Sequence, residues 1–139
     1  MEDNLENVTP DGFEALGVEP RLLKAIKELG FESPMPIQQL VIPHLNENVG
    51  DVVGLAQTGT GKTAAFGLPV IQRINVSLEK PQALIIAPTR ELCLQIAGDL
   101  ADFSKYIDGL RILPVYGGSS IDSQIRSLRK GVQIVVATP

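Results

Sequence analysis

The chain has 139 residues, 44% of them hydrophobic and 20% charged, with 13 Gly and 10 Pro dispersed along it. That length suits one domain, and that composition can bury a core, which excludes a wholly disordered chain, a collagen-like repeat and a low-complexity array. The net charge of -4 is unevenly placed: residues 1–20 hold Glu2, Asp3, Glu6, Asp11, Glu14 and Glu19 and no Lys or Arg, so the remainder is slightly basic and a local phosphate site is not excluded.

Residues 1–12 carry few large apolar side chains and read as a flexible acidic arm, without the apolar stretch of a signal peptide. From Pro20 the pattern is helical: Leu22, Leu23, Ile26 and Leu29 share a face, Pro20 fits the first turn, and Gly30 fits the end. A proline-punctuated stretch, FESPMPIQ, follows, and Pro36 is expected to open a second short helix through Leu45. The periodicity then changes. Asp51–Ala56 (DVVGLA), Gln82–Ala87 (QALIIA), Leu110–Tyr116 (LRILPVY) and Val132–Ala137 (VQIVVA) are predicted strands. Helical stretches at about 61–77, 90–106 and 120–130 separate them. Leu92, Ile96, Leu100 and Phe103 mark the face of the second, and Ile121, Ile125 and Leu128 that of the third. The alternation predicts an α/β domain with a parallel sheet flanked by helices, and the near-continuous apolar strands suit a sheet covered on both faces. Ligands of such sheets bind beyond the carboxyl ends of the strands.

No apolar run approaches the roughly 20 residues that span a bilayer, so no membrane partner is expected. The lone Cys93 excludes an internal disulfide framework and a CxxC zinc site, and a reducing cytoplasm is the natural compartment. Cys93 reads as a buried structural thiol, His44 as a packed or capping residue, and Lys80, Arg126, Arg129 and Lys130 as solvated charges.

The motifs with chemistry lie after strands or ahead of the first one. AQTGTGKT, Ala56–Thr63, follows a predicted strand and opens a predicted helix. Gly59 and Gly61 let consecutive backbone N–H groups turn inward, the helix N-terminus adds its dipole, Lys62 reaches terminal phosphates, and the Thr63 hydroxyl suits Mg²⁺. Ala56 stands where the strict phosphate-loop string has Gly. Upstream, Gln38 offers a donor and an acceptor that match adenine N6 and N7, and Phe31 could lie on a purine face. From the residues alone, a capping Gln and a core Phe are the commoner readings. Pro88-Thr89-Arg90-Glu91-Leu92 places a hydroxyl and a guanidinium at a second helix start, and Gly117-Gly118 reads alone as a tight turn.

In the order GFESPMPIQ, AQTGTGKT, PTREL, YGG and Ala137-Thr138-Pro139, these motifs resemble the N-terminal RecA-like domain of DEAD-box ATP-dependent RNA helicases. GFESPMPIQ looks like the family's Q motif, with Phe13 in the place of an isolated upstream aromatic, and Met35 stands where the family often has Thr. AQTGTGKT is similar to motif I, PTREL to motif Ia, and Thr138-Pro139 to the start of motif Ib. The resemblance covers nearly all of residues 13–139. It implies ATP and Mg²⁺ as cofactors and ATP-dependent RNA unwinding or remodelling as the activity. It assigns Lys62 and Thr63 to catalysis, Thr63 to the metal, and Phe31, Gln38, Ala56, Gln57, Thr58, Gly59, Thr60, Gly61, Lys62 and Thr63 to the nucleotide. Pro88, Thr89, Arg90, Gly117, Gly118, Thr138 and Pro139 would grip the RNA sugar-phosphate backbone irrespective of sequence. The implied organisation is the arm at 1–12, a Q-motif helical leader at 13–50, and the first part of a RecA-like ATP-binding domain at 51–139. The DEAD and SAT motifs and a second RecA-like domain, a partner within the same full-length chain, would lie beyond Pro139, so the segment alone is expected to be catalytically incompetent. Another P-loop enzyme would leave GFESPMPIQ and PTREL unexplained, and a non-enzymatic nucleotide- or RNA-binding module is the remaining alternative.

Overall fold

The computed structural model describes residues 12–47, 50–57, 59 and 61–139, and the chain divides into two compact units, Met1–Pro69 and Val70–Pro139. The arm expected at 1–12 lies outside the described residues except for Gly12, which opens the one-turn helix α1 (Gly12–Ala15).

In the first unit, Pro20 occupies the first turn of α2 (Pro20–Glu28), where its missing N–H costs nothing. Leu22, Ala25 and Ile26 are the buried stripe of α2, and Gly30, at φ 90, takes the chain out of the helix. Pro36 likewise opens α3 (Pro36–Asn46), with Gln38, Val41 and Ile42 buried. At its far end, Asn46 Nδ2 donates to the Leu16 carbonyl at 3.2 Å, tying α3 to the turn after α1. Helix α4 (Lys62–Arg73) starts directly after Gly61 and runs on into the second unit.

The strand expected at Asp51–Ala56 is not formed: residues 51–57 have no regular structure, and Val53 and Leu55 are 87% and 90% exposed. A β-branched run becomes a strand only with a neighbour to complete its hydrogen-bond ladder, and among the described residues this run has none.

In the second unit the other three expected strands form β1 (Ala83–Ile86), β2 (Ile112–Val115) and β3 (Ile134–Ala137). All pairing is parallel and the order is β1-β3-β2, with Ile134 opposite both Ala83 and Ile112. Pro114 can sit in β2 because β2 is an edge strand of the described sheet. Helices α5 (Arg90–Phe103) and α6 (Ile121–Lys130) are the crossovers that parallel strands require. On α5, Cys93, Ile96, Ala97, Leu100 and Phe103 are buried, whereas the expected Leu92 is exposed. The Cys93 thiol is fully buried and donates to the Val136 carbonyl, with Sγ to oxygen 3.2 Å. On α6 no residue is buried, and the expected stripe of Ile121, Ile125 and Leu128 is exposed.

The sheet is covered unequally. Ile134 and Val136 point to one face and are fully buried, while Leu84 and Ile86, on the opposite face, are 63% and 64% exposed. The expectation of two covered faces fails at β1, because α5 packs against β2 and β3 and α6 against β2. At the amino ends of the strands, buried Gln133 spends its amide on three loops. Its Oε1 accepts from Arg111 N at 2.8 Å, and its Nε2 donates to the carbonyls of Val76 at 3.2 Å and Gly109 at 3.1 Å.

Candidate functional site

The nucleotide-type residues lie in the first unit. Gly59 and Gly61 have φ 77 and 78, a left-handed conformation that side chains resist, and they curl the backbone into the start of α4. Thr58 and Thr60 lie outside the described residues. Gln57 and Lys62 are exposed, and Ala56 and Thr63 are half-buried. Neither the Lys62 ammonium nor the Thr63 hydroxyl has a partner among the described residues.

Gln38 is drawn into this loop. It occupies the third position of α3, where its Oε1 accepts from Met35 N at 2.9 Å and closes the helix start. Its Nε2 donates to the Gly61 carbonyl at 3.2 Å, and the same carbonyl accepts from Ala65 N in the first turn of α4. A Cβ added at Gly61 would collide with the Gln38 amide. An amide carries two donor hydrogens and two acceptor lone pairs, so each end of Gln38 has one valence left. Phe31 is half-buried, and its ring lies against the buried Phe13 with centroids 5.9 Å apart and planes inclined by 50°. His44 Nε2 is buried without a hydrogen-bond partner among the described residues.

The phosphate-gripping candidates lie in the second unit, all beyond the carboxyl ends of the parallel strands. Pro88, Thr89 and Arg90 follow β1, Gly117 and Gly118 follow β2, and Thr138 and Pro139 follow β3. Their common edge is set by hydrogen bonds from Ala87 N to Ala137 O at 2.8 Å and from Thr138 N to Val115 O at 3.1 Å. Thr89 is the N-cap of α5: its hydroxyl accepts from Leu92 N at 3.2 Å, which leaves the O–H free to donate outward. Gly118, at φ 89, faces Arg90, and a Cβ there would stand 3.2 Å from Arg90 Nη1. The turn and the guanidinium, 28 positions apart in sequence, are therefore neighbours. Pro88, Thr89, Arg90, Gly117, Gly118 and Pro139 are exposed and Thr138 is half-exposed.

The sequence reading missed Gln124, whose Nε2 donates to the Tyr116 carbonyl, 3.1 Å away, just ahead of the Gly-Gly turn. Among the described residues no three His, Cys, Asp or Glu gather to hold a metal ion, and no helix is long and apolar enough to cross a membrane.

A family model described as DEAD/DEAH box helicase matches residues 35–139. An ATP-dependent RNA helicase DeaD of Buchnera aphidicola subsp. Schizaphis graminum is 50% identical over 131 residues, which are 94% of this chain and 22% of that protein. The crystal structure of a DEAD box protein from Methanococcus jannaschii superimposes with a TM-score of 0.86 at 40% identity, covering 92% of this chain and 34% of that one. Saccharomyces cerevisiae Dbp5 bound to RNA and ADP BeF3 superimposes with a TM-score of 0.81 at 34% identity, covering 92% of this chain and 32% of that one. The chain thus spans about a fifth of the length of the curated relative and about a third of the solved chains.

Proposed function

Because the chain belongs to the DEAD/DEAH box helicase family, we propose that it supplies the adenine-reading leader, the phosphate loop and part of the RNA-binding edge of an ATP-dependent RNA helicase acting in the cytoplasm. In this reading, residues 13–50 are the leader and residues 51–139 the first part of a RecA-like domain, completed by a second such domain in the full-length enzyme. The observation that carries it is Gln38: a buried amide bonded to the phosphate-loop carbonyl of Gly61, with one donor and one acceptor still to spend. That remaining pair matches adenine N6 and N7 and mismatches guanine. Gln38 is 1% exposed, so a base must displace part of its cover to reach the amide.

Lys62 and the backbone N–H groups of the loop neutralise the β- and γ-phosphates, which is the protein's main task in phosphoryl transfer. The Thr63 hydroxyl, in the first turn of α4 and without a partner among the described residues, would hold a Mg²⁺. Such a metal would supply further charge neutralisation at the phosphates. In the second unit, Thr89 O–H, Arg90 and the N–H groups of Gly117 and Gly118 hold RNA phosphates, without reading bases. The solved Dbp5 complex, which holds RNA and a nucleotide analogue, supports the pairing of these two ligands.

The test is ATP turnover by the complete enzyme across a panel of polynucleotides. Single-stranded RNA of any sequence should stimulate it and GTP should not replace ATP. Equal stimulation by DNA, or none by RNA, rejects the reading.

A further inference from the structure

Gln124 closes the Gly-Gly turn at both ends. Its backbone N–H donates to the Ser120 carbonyl at 3.2 Å, within the first turn of α6. Its side chain reaches back along the chain to the Tyr116 carbonyl, with Nε2 to oxygen 3.1 Å in a partly buried contact. The segment between those carbonyls is Gly117-Gly118-Ser119, and Ser120 is itself fixed as the N-cap of α6, its hydroxyl accepting from Ser123 N at 3.3 Å. Inside this short bracket, Gly118 keeps a positive φ of 89 and lies against the Arg90 guanidinium. A two-glycine turn has large conformational freedom to lose, so whatever holds it in the ligand-ready shape beforehand saves that cost on binding.

We propose that Gln124 is a positioning residue for the RNA backbone site: it holds the Gly117–Gly118 turn beside Arg90, so that the turn's N–H groups and the guanidinium meet the same stretch of phosphates. The proposal rests on the RNA reading above. Glutamine suits the position because the Tyr116 carbonyl needs a donor at the end of a two-carbon stem. Glutamate would present only acceptors, methionine has the length without the donor, and asparagine is one methylene short.

The experiment measures binding of a single-stranded oligouridylate and RNA-stimulated ATP turnover in the complete enzyme, for Gln124→Met, Gln124→Glu and Arg90→Ala. Gln124→Met should raise the RNA Kd, and the RNA concentration for half-maximal turnover, about three- to tenfold, as the loss of one ordering hydrogen bond predicts. KM for ATP and kcat at saturating RNA should hold, and the salt slope of RNA binding should hold because no phosphate contact is removed. Gln124→Glu should be at least as impaired. Arg90→Ala should weaken binding and flatten the salt slope by about one phosphate. If Gln124→Met does not fold, Gln124→Asn carries the same expectation. Unchanged RNA affinity in the Gln124 variants beside weakened Arg90→Ala overturns the proposal and leaves the RNA reading standing. An Arg90→Ala enzyme with unaltered RNA binding overturns the RNA reading itself. A parallel rise in KM for ATP would show general loosening and also overturn the proposal.

Discussion

The side-chain amide of Gln38 lies directly against the Cα of Gly61, bonded to its carbonyl at 3.2 Å, where any side chain on residue 61 would strike it. The base-reading candidate and the phosphate loop are thus in contact within one unit, although 23 positions separate them in sequence.

That contact makes Gly61 more demanding than Gly59. Both have a positive φ, but a Cβ at Gly59 would meet nothing within 4 Å, whereas one at Gly61 would meet Gln38 and Met35. Gly59→Ala should cost about 1–2 kcal/mol of backbone strain. Gly61→Ala should cost more and should also weaken nucleotide binding by displacing Gln38. Urea melts and ADP calorimetry on both variants check the order, and equal effects would show that φ alone matters.

Gln38→Ala should narrow the preference for ADP over GDP by about 1–3 kcal/mol, the worth of a two-point base contact. Calorimetry with both nucleotides measures it. An unchanged ratio would return Gln38 to the role of a helix cap.

Lys62 is exposed and unpartnered among the described residues, so truncating it removes no internal contact. Lys62→Ala should abolish ATP turnover in the complete enzyme while stability stays within about 0.5 kcal/mol of the parent. A melt and a turnover assay on the same preparation separate the two effects. Near-normal turnover would remove Lys62 from the site.

Gln133→Leu should be the most damaging of the polar substitutions. The methyl groups would fill similar space but leave Arg111 N and the carbonyls of Val76 and Gly109 without their partner. An orphaned buried group costs about 1–3 kcal/mol, and these three are only part-buried, so together they should cost about 2 kcal/mol. A denaturant midpoint close to the parent's would show that water replaces the amide.

Burial, with Asp102 one turn further along α5, holds the Asp99 carboxyl above its ordinary 3.8. The folded chain therefore binds this proton more tightly than the unfolded chain. Its contribution is most favourable below the ordinary value and is lost as pH rises through the raised one. Asp99→Asn should melt at a higher temperature than the parent at pH 7, and the gap should close near pH 3. A gap independent of pH would mean that the carboxylate charge is not its source.

Much of this was legible in the residues. The α2 and α3 starts were readable because proline admits few backbone positions, and β1, β2 and β3 because unbroken apolar runs have few other uses in an α/β chain. DVVGLA carried the same signal and formed no strand, since composition reports what a segment would do beside a partner and not whether one is present. Helix α1 escaped because one turn shows no period. Gln124 escaped because a side chain returning eight residues to a carbonyl follows neither the helical nor the strand repeat. The closeness of Arg90 and Gly118 is likewise a product of topology, since both lie past the ends of strands that flank β3.

The strand order also fixes a timetable. β3 is synthesised after both β1 and β2, yet it lies between them in the described sheet, where β1 and β2 have no hydrogen bond to each other. At about 5–20 residues per second, several seconds pass between the emergence of Ile86 and that of Ile134. Through that interval α5 and α6 can coil within microseconds, while β1 must wait without the backbone ladder that β3 supplies. A ribosome stalled between the Gly-Gly turn and Gln133 would hold two strands that cannot rescue one another.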